Sequence, residues 1–297
     1  MKKITLTAAI ALLLPTLSNA EQSSEVQMEI DKFQGHFKYY QPEFTNEQWM
    51  NGVYSFSADK RMQYENQMEF PPFETHMEKG RDIWEKPFAN GKTFQSCYKQ
   101  PLSEIKPSFP RWNTVTKRVD TLESSLNDCL VKNDEKKLKY KKGKIAWISA
   151  YLGSQAEGKE INVIVPEGDK DALAAWNDGR KTYFAKRGQL NFACSDCHMH
   201  SYAGIGADKK TGEGGSIYLR AQKLSPSLGH VTHFPVWRGK WSKSGDGYGT
   251  LHRRFGGCYK QVRAQPAKAQ SDEYRNLEYF LASMSNGLQH TGTEYRE

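Results

Sequence analysis

A second long apolar run is missing from this 297-residue chain. The single long run lies at the extreme N-terminus, which excludes a polytopic membrane protein. Cysteine is scarce: there are five, an odd number that leaves one over after any pairing. No second pair of zinc ligands stands at a suitable spacing. The glycine-rich stretch 205–216 lacks the strand–turn–helix context of a phosphate loop and reads as a loop wrapping a ligand. Acidic excess is absent as well, with Lys plus Arg at 42 against Asp plus Glu at 34, a net charge of +8. That surplus suits an acidic partner or an anionic substrate and is too scattered to mark a nucleic-acid binder. Hydrophobic residues at 37% permit a packed core and exclude wholesale disorder. The length accommodates two domains.

The N-terminus carries an export signal in three parts. Lys2 and Lys3 form a positive head, residues 4–14 are apolar up to Pro15, and Ser18-Asn19-Ala20 is a small-x-small cleavage site. Residues 1–20 are therefore expected to be removed, leaving no membrane span in the mature chain. The style of the signal points to a bacterial periplasm. Export means an oxidising compartment, in which cysteines are bonded, ligated or deliberately reactive.

The remainder contains an internal echo. Gly80-Arg81-Asp82-Ile83-Trp84 precedes Phe94 and Cys97, and Gly179-Arg180-Lys181-Thr182-Tyr183 precedes Phe192, Cys194 and Cys197. A second echo relates residues 146–152 to residues 278–284 in aromatic and apolar layout. Each half thus reads as an opening helix, a cysteine site, an irregular middle and a closing helix, as a duplication would produce. Asp169 or Asp171 can cap a helix bearing Leu173, Trp176, Gly179 and Tyr183 on one face. Ser271 can cap a helix whose stripe is Tyr274, Leu277, Leu281 and Met284, with Gly287 as its stop. The expected division is 21–160 and 161–297, the boundary falling in the Gly-, Ser- and Pro-containing stretch 153–168. Residues 136–144 form a basic run, read as a solvated face or as a docking patch for an acidic partner.

The strongest motif is Cys194-Ser195-Asp196-Cys197-His198. C-x-x-C-H is the c-type haem attachment signature: two thiols add across the vinyl groups, and the following histidine reaches the iron. His230, His233, His252, Cys258 and Met284 are the candidates for the second axial position. Around Cys258 the sequence places Gly256 and Gly257, which allow close backbone approach, and the cations Arg253, Arg254, Lys260 and Arg263. Positive charge around a thiol favours the thiolate, the form that attacks or binds metal, and attracts anions. In the first half Phe94 and Cys97-Tyr98 stand where the second half has Cys194 and Cys197-His198. That half therefore lacks an attachment thiol and the proximal histidine. With no iron to hold, Cys97 and Cys129 are expected to form a disulfide, the alternative being two buried thiols or a bridge from either to Cys258.

These residues resemble the SoxA family, cytochrome subunits of the L-cysteine S-thiosulfotransferase of the periplasmic sulfur-oxidation (Sox) system. The likeness lies in residues 192–198, 233–238, 249–258 and 261–264, with 121–129 similar to the family's N-terminal domain. Arg-Arg-Phe-Gly-Gly-Cys, ending at Cys258, is its most specific part. The resemblance implies a mainly α protein of two tandem cytochrome c-like domains, the first without haem. It implies one covalent haem c on Cys194 and Cys197, with His198 and Cys258 as axial ligands. Cys258 would be the active-site cysteine, found in the family as a persulfide, and Arg254 the substrate-binding arginine. The reaction implied is oxidative conjugation of thiosulfate to a cysteine of a SoxYZ-like carrier, with two electrons passing to a SoxX-like monohaem cytochrome. A periplasmic monohaem cytochrome that only shuttles electrons, with Cys258 an inert ligand, is the other reading.

Overall fold

The computed structural model describes residues 21–40, 42–199, 226–243 and 245–296. The expected export signal at 1–20 and the glycine-rich stretch 205–216 lie outside the described residues.

Helices dominate. The chain runs through α1 (Ser24–Tyr40), α2 (Asn46–Asn51), α3 (Val53–Phe56), α4 (Ala58–Glu69) and α5 (Glu74–Glu85). A 3-10 turn, Phe94–Cys97, and α6 (Leu102–Ile105) lead to an antiparallel pair, β1 (Arg111–Asn113) and β2 (Arg118–Asp120). Then come α7 (Leu122–Lys132), α8 (Lys144–Gln155), α9 (Lys170–Phe184) and α10 (Cys194–His198). The last part holds β3 (Val236–Trp237), α11 (Gly239–Ser242), β4 (Tyr248–Gly249), α12 (Leu251–Gln261), α13 (Asp272–Ser283) and β5 (Glu294–Tyr295). β3 pairs antiparallel with β4 and parallel with β5. Among the described residues no helix is long and apolar enough to cross a membrane.

Local chemistry sets the helix ends. Asp169, not Asp171, caps α9, its carboxylate accepting from the backbone N–H groups of Asp171 and Ala172 at 3.0 and 3.1 Å. Thr121 and Ser124 form a reciprocal capping box on α7. Ser271 stands at the N-cap of α13, but its buried hydroxyl makes no bond, so backbone carbonyls alone close that turn. Gly287, at φ 83°, follows the end of α13 and donates its N–H to the Ile161 carbonyl at 3.0 Å.

The duplication is visible as two crossed helix pairs. α5 meets α8 where a Cβ on Gly80 would lie 2.2 Å from the Trp147 carbonyl oxygen. α9 meets α13 where a Cβ on Gly179 would lie 2.0 Å from the Asn276 carbonyl oxygen. Trp147 therefore corresponds to Asn276, and the expected pairing of 146 with 278 is three residues out of register. Both apolar stripes repeat at helical spacing, so a shift of about one turn leaves the sequence echo almost as good. Beyond α5, Phe94 stacks on Trp84 (centroids 5.5 Å apart, planes at 9°) and meets Phe88 edge-on at 5.1 Å. Aromatic rings thus pack the first half's counterpart of the haem-attachment site. Cys97 is bonded to Cys129, tying the 3-10 turn to α7.

The core of the first half gathers Trp84, Phe94, Ile105, Leu126, Ile148 and Leu152. The other core is built on α9 and α13 and also takes in α1. Phe33 reaches the rings of Tyr183 at 6.0 Å and Phe280 at 6.2 Å, and Arg180 pairs with Glu29 at 3.1 Å. Polar contacts close the seam between the halves: Arg275 on α13 donates to the Val119 carbonyl at 2.7 Å, and Thr121 to Gln270 at 3.0 Å.

Candidate haem pocket and sulfur site

The attachment motif forms the short helix α10. Asp196 accepts from the Ala193 N–H at 2.8 Å and fixes the turn into it. Opposite stands α12, which carries Cys258 seven residues after its first residue, Leu251. Between them lies a cavity of about 340 Å³ whose wall includes Cys194, Cys197, His198, Arg254, Cys258 and Arg187. Its remaining lining is largely apolar, with Leu190, Phe192, Ala193 and Val262. Cys194, Cys197 and Cys258 are all outside disulfides. Burial pushes the Cys194 thiol up to about 12 and the Cys197 thiol up to about 11, and the nearby Cys258 sulfur adds to both.

The residues fit a covalently held haem. The two attachment thiols, His198 and Cys258 all line the wall of one largely apolar cavity. The Arg187 guanidinium lies 4.4 Å from the Tyr259 ring centroid and places positive charge suited to carboxylate-bearing propionates on the same wall. Gly256 and Gly257 add to the fit in an unexpected way. A Cβ at either would meet described protein atoms no closer than 3.8 Å, so the protein itself does not require a close approach there. Two glycines inside a helix cost roughly 1 kcal/mol each relative to alanine, and the room they leave beside Cys258 suits a bulky ligand. A bare metal site is a poorer match, since among the described residues no three His, Cys, Asp or Glu side chains group to hold an ion.

Of the five candidates for the second axial position, the structure brings Cys258 to the cavity and places the others elsewhere. Both ring nitrogens of His252 are engaged, Nδ1 accepting from the Gln270 N–H at 3.1 Å and Nε2 lying 3.1 Å from the Tyr274 carbonyl. His233 Nδ1 receives Arg296 at 3.2 Å. His230 lies tilted 4.9 Å from the His198 ring and is not on the cavity wall, and burial holds it well below the ordinary imidazole range. Met284 is core.

The cations are not distributed as expected. Arg254 is buried and lines the cavity. Arg253, one residue earlier, points elsewhere on the helix: its guanidinium lies 4.3 Å from the Trp241 ring centroid and donates to the Asp246 and Tyr248 carbonyls. Lys260 and Arg263 are exposed and off the wall. The helical period of about 100° per residue separates Arg253 from Arg254, and a list of nearby charges does not show that. Arg187, which no motif marks, enters the cavity wall from just beyond α9; Arg238 stands at the N-cap of α11 and Lys240 lies within it, both off the wall. Lys240 is lowered by burial and then by Arg238 and Arg254, and is raised by Cys258. Arg238 lies in the family-like stretch 233–238 and was the available signal.

Fold and motif together define a c-type cytochrome domain. The family described as SoxA/TsdA, cytochrome c domain, matches residues 79–161, the half without the attachment motif. The chain is 42% identical to the L-cysteine S-thiosulfotransferase subunit SoxA of Chlorobaculum tepidum, over 94% of this chain and 92% of the relative. It is 40% identical to the subunit of the same name from Allochromatium vinosum, over 89% and 88% respectively. The crystal structure of SoxXA from P. pantotrophus superposes with a TM-score of 0.62 at 28% identity, covering 76% of this chain and 79% of that one. The chain belongs to the SoxA family of L-cysteine S-thiosulfotransferase subunits.

Proposed function

We propose that this subunit joins thiosulfate to a cysteine of a SoxYZ-like carrier, with Cys258 as the reacting sulfur and Arg254 as the anion-binding group. The observation that carries the reading is the shared cavity wall of Cys258, Arg254 and the Cys194–Cys197–His198 motif. In the net reaction a carrier thiol and thiosulfate form one S–S bond, and the thiol proton and two electrons leave. Arg254 holds the thiosulfate dianion through charge-assisted hydrogen bonds. Cys258 and the sulfane sulfur of thiosulfate form an S–S bond as the two electrons leave; the carrier thiolate then attacks that sulfane sulfur, and the Cys258 sulfur, thiolate or persulfide, departs unchanged. Cys194 and Cys197 would hold one haem c and His198 and Cys258 its iron. A haem bound there supplies an electron acceptor beside the reacting sulfur, and a SoxX-like cytochrome takes the electrons onward. The halves 21–160 and 161–297 act as a haem-less support and a haem-bearing domain, exported to the periplasm after removal of residues 1–20.

The test is carrier-dependent thiosulfate oxidation by holoprotein with its cytochrome partner. Cys258→Ala and Arg254→Ala are each expected to lower turnover at least about a hundredfold, consistent with removal of a main transition-state contact, while Arg254→Ala keeps its haem. An Arg254→Ala protein with full activity would favour the simple electron shuttle, in which an arginine that holds no iron is dispensable.

A further inference from the structure

The basic run 136–144 is not a loose tail. Leu138 is pinned through both backbone groups to the Asn127 amide, at 2.8 and 3.0 Å, and its side chain packs on the first core. Lys141 is held at φ 81°, a left-handed conformation that costs a lysine free energy. Its carbonyl accepts from the N–H of Thr250, the N-cap of α12, at 3.0 Å. The Gly143 N–H donates to the Asp246 carboxylate at 2.6 Å. Lys136, Lys137, Lys139, Lys142 and Lys144 all stand exposed on this fastened loop, with no ion pair among the described residues. Five like charges fixed in one place repel one another, and the shape that holds them includes a strained residue. Solvation alone gives no reason for such a shape.

The loop is also the outer end of a cationic track. Asp246, to which it is fastened, accepts Arg253 at its carbonyl, 3.1 Å away. The Arg253 guanidinium covers Trp241 at 4.3 Å, and Arg238 approaches the same ring at 5.4 Å. Lys240 precedes Trp241, and Arg254, next to Arg253 on α12, lines the cavity itself. The track thus runs from exposed lysines, past one tryptophan, to the cavity. Along α12 itself, eight residues separate Thr250 from Cys258, about 12 Å at a rise of about 1.5 Å per residue. A protein footprint of roughly 800 Å² per partner spans that distance.

We propose that the loop 136–144 and this track form the docking surface for an acidic carrier protein, which presents its cysteine to the Cys258 cavity. The inference rests on the carrier-dependent reading above and adds where the carrier lands. A carrier must bring its thiol to the Cys258 sulfur at the inner end of the track, whereas electron transfer to a cytochrome needs no contact with that sulfur.

The test uses holoprotein with purified carrier and purified cytochrome partner, assayed separately across a salt series. Lys136→Glu/Lys137→Glu/Lys139→Glu should raise the KM for the carrier at least about tenfold at low salt and flatten its salt dependence. The kcat at saturating carrier, the KM for thiosulfate and the affinity for the cytochrome should stay as in the parent. Lys142→Glu/Lys144→Glu should act the same way, although Glu at position 144, the first residue of α8, favours helix stability. A weakened carrier together with a stable fold therefore cannot be an unfolding effect. An unchanged carrier KM in both variants, or a loss confined to the cytochrome, overturns the docking surface. Inactivity of the parent protein with every carrier would instead overturn the reaction assigned to it.

Discussion

A Cβ on Gly179 would sit 2.0 Å from a backbone oxygen of α13, and one on Gly80 would sit 2.2 Å from a backbone oxygen of α8. Backbone cannot rotate away as a side chain can, so each helix pair would have to separate. Gly179→Ala and Gly80→Ala should each destabilise the fold by roughly 3 kcal/mol, read as a lower denaturation midpoint with an unchanged slope. Both glycines were legible as the start of a repeated motif, because the Gly-Arg-x-x-aromatic pattern marks a helix face that must be approached closely. The motif Cys194-Ser195-Asp196-Cys197-His198 was legible for a similar reason, since its chemistry is local. Arg187 and Lys240 were not. Neither lies in a motif; only tertiary folding brings Arg187 to the cavity that Cys258 lines and sets α11, which carries Lys240, against Arg253 of α12.

Helices α9 and α13 could be read from their stripes and caps, down to Asp169 at the N-cap. What a stripe faces is another matter. Nothing in the apolar face of α1 (Val26, Ile30, Phe33, Phe37) says that it packs on α9 and α13 as well as on Trp49 of the neighbouring α2. Any apolar groove of the right width satisfies such a face. The link between the Phe94–Cys97 turn and α7 depended on the cysteine count, and the bond is present with Cα atoms 5.9 Å apart. Replacing both partners, Cys97→Ser/Cys129→Ser, should cost about 3–4 kcal/mol if loop closure in the unfolded chain dominates. Haem content should stay the same, because the bridge belongs to the half without the attachment motif. Thermal melts with parallel haem quantification check both statements.

Across the seam between the halves, burial shifts two titratable groups in opposite directions. The Glu123 carboxyl is fully buried, accepts from Ser149 at 2.9 Å, and is raised by burial first and by Glu278 second, with Lys106 and His252 opposing. A raised carboxyl binds its proton more tightly in the folded state. Its contribution is therefore complete below the ordinary value of 4.5 and is lost as pH rises through the raised one. His290 is lowered to about 3 by burial, with Lys106 adding to the effect. Its contribution is complete above 6.5 and is lost as pH falls from there toward 3. Denaturation across a pH series should show Glu123→Gln losing part of the decline on the alkaline side while the decline on the acid side remains. An alkaline limb identical to the parent's would show that Glu123 ionises freely in the folded protein.

The proposed chemistry requires the Cys258 sulfur to ligate a single haem. Electron paramagnetic resonance of the purified holoprotein, with haem counted per chain, reads this directly. One haem per chain and a low-spin signal of sulfur-ligated iron are predicted, with Cys258→Ala retaining the haem and losing that signal. A methionine- or bis-histidine-type spectrum, or a sulfur signal that survives in Cys258→Ala, would contradict it.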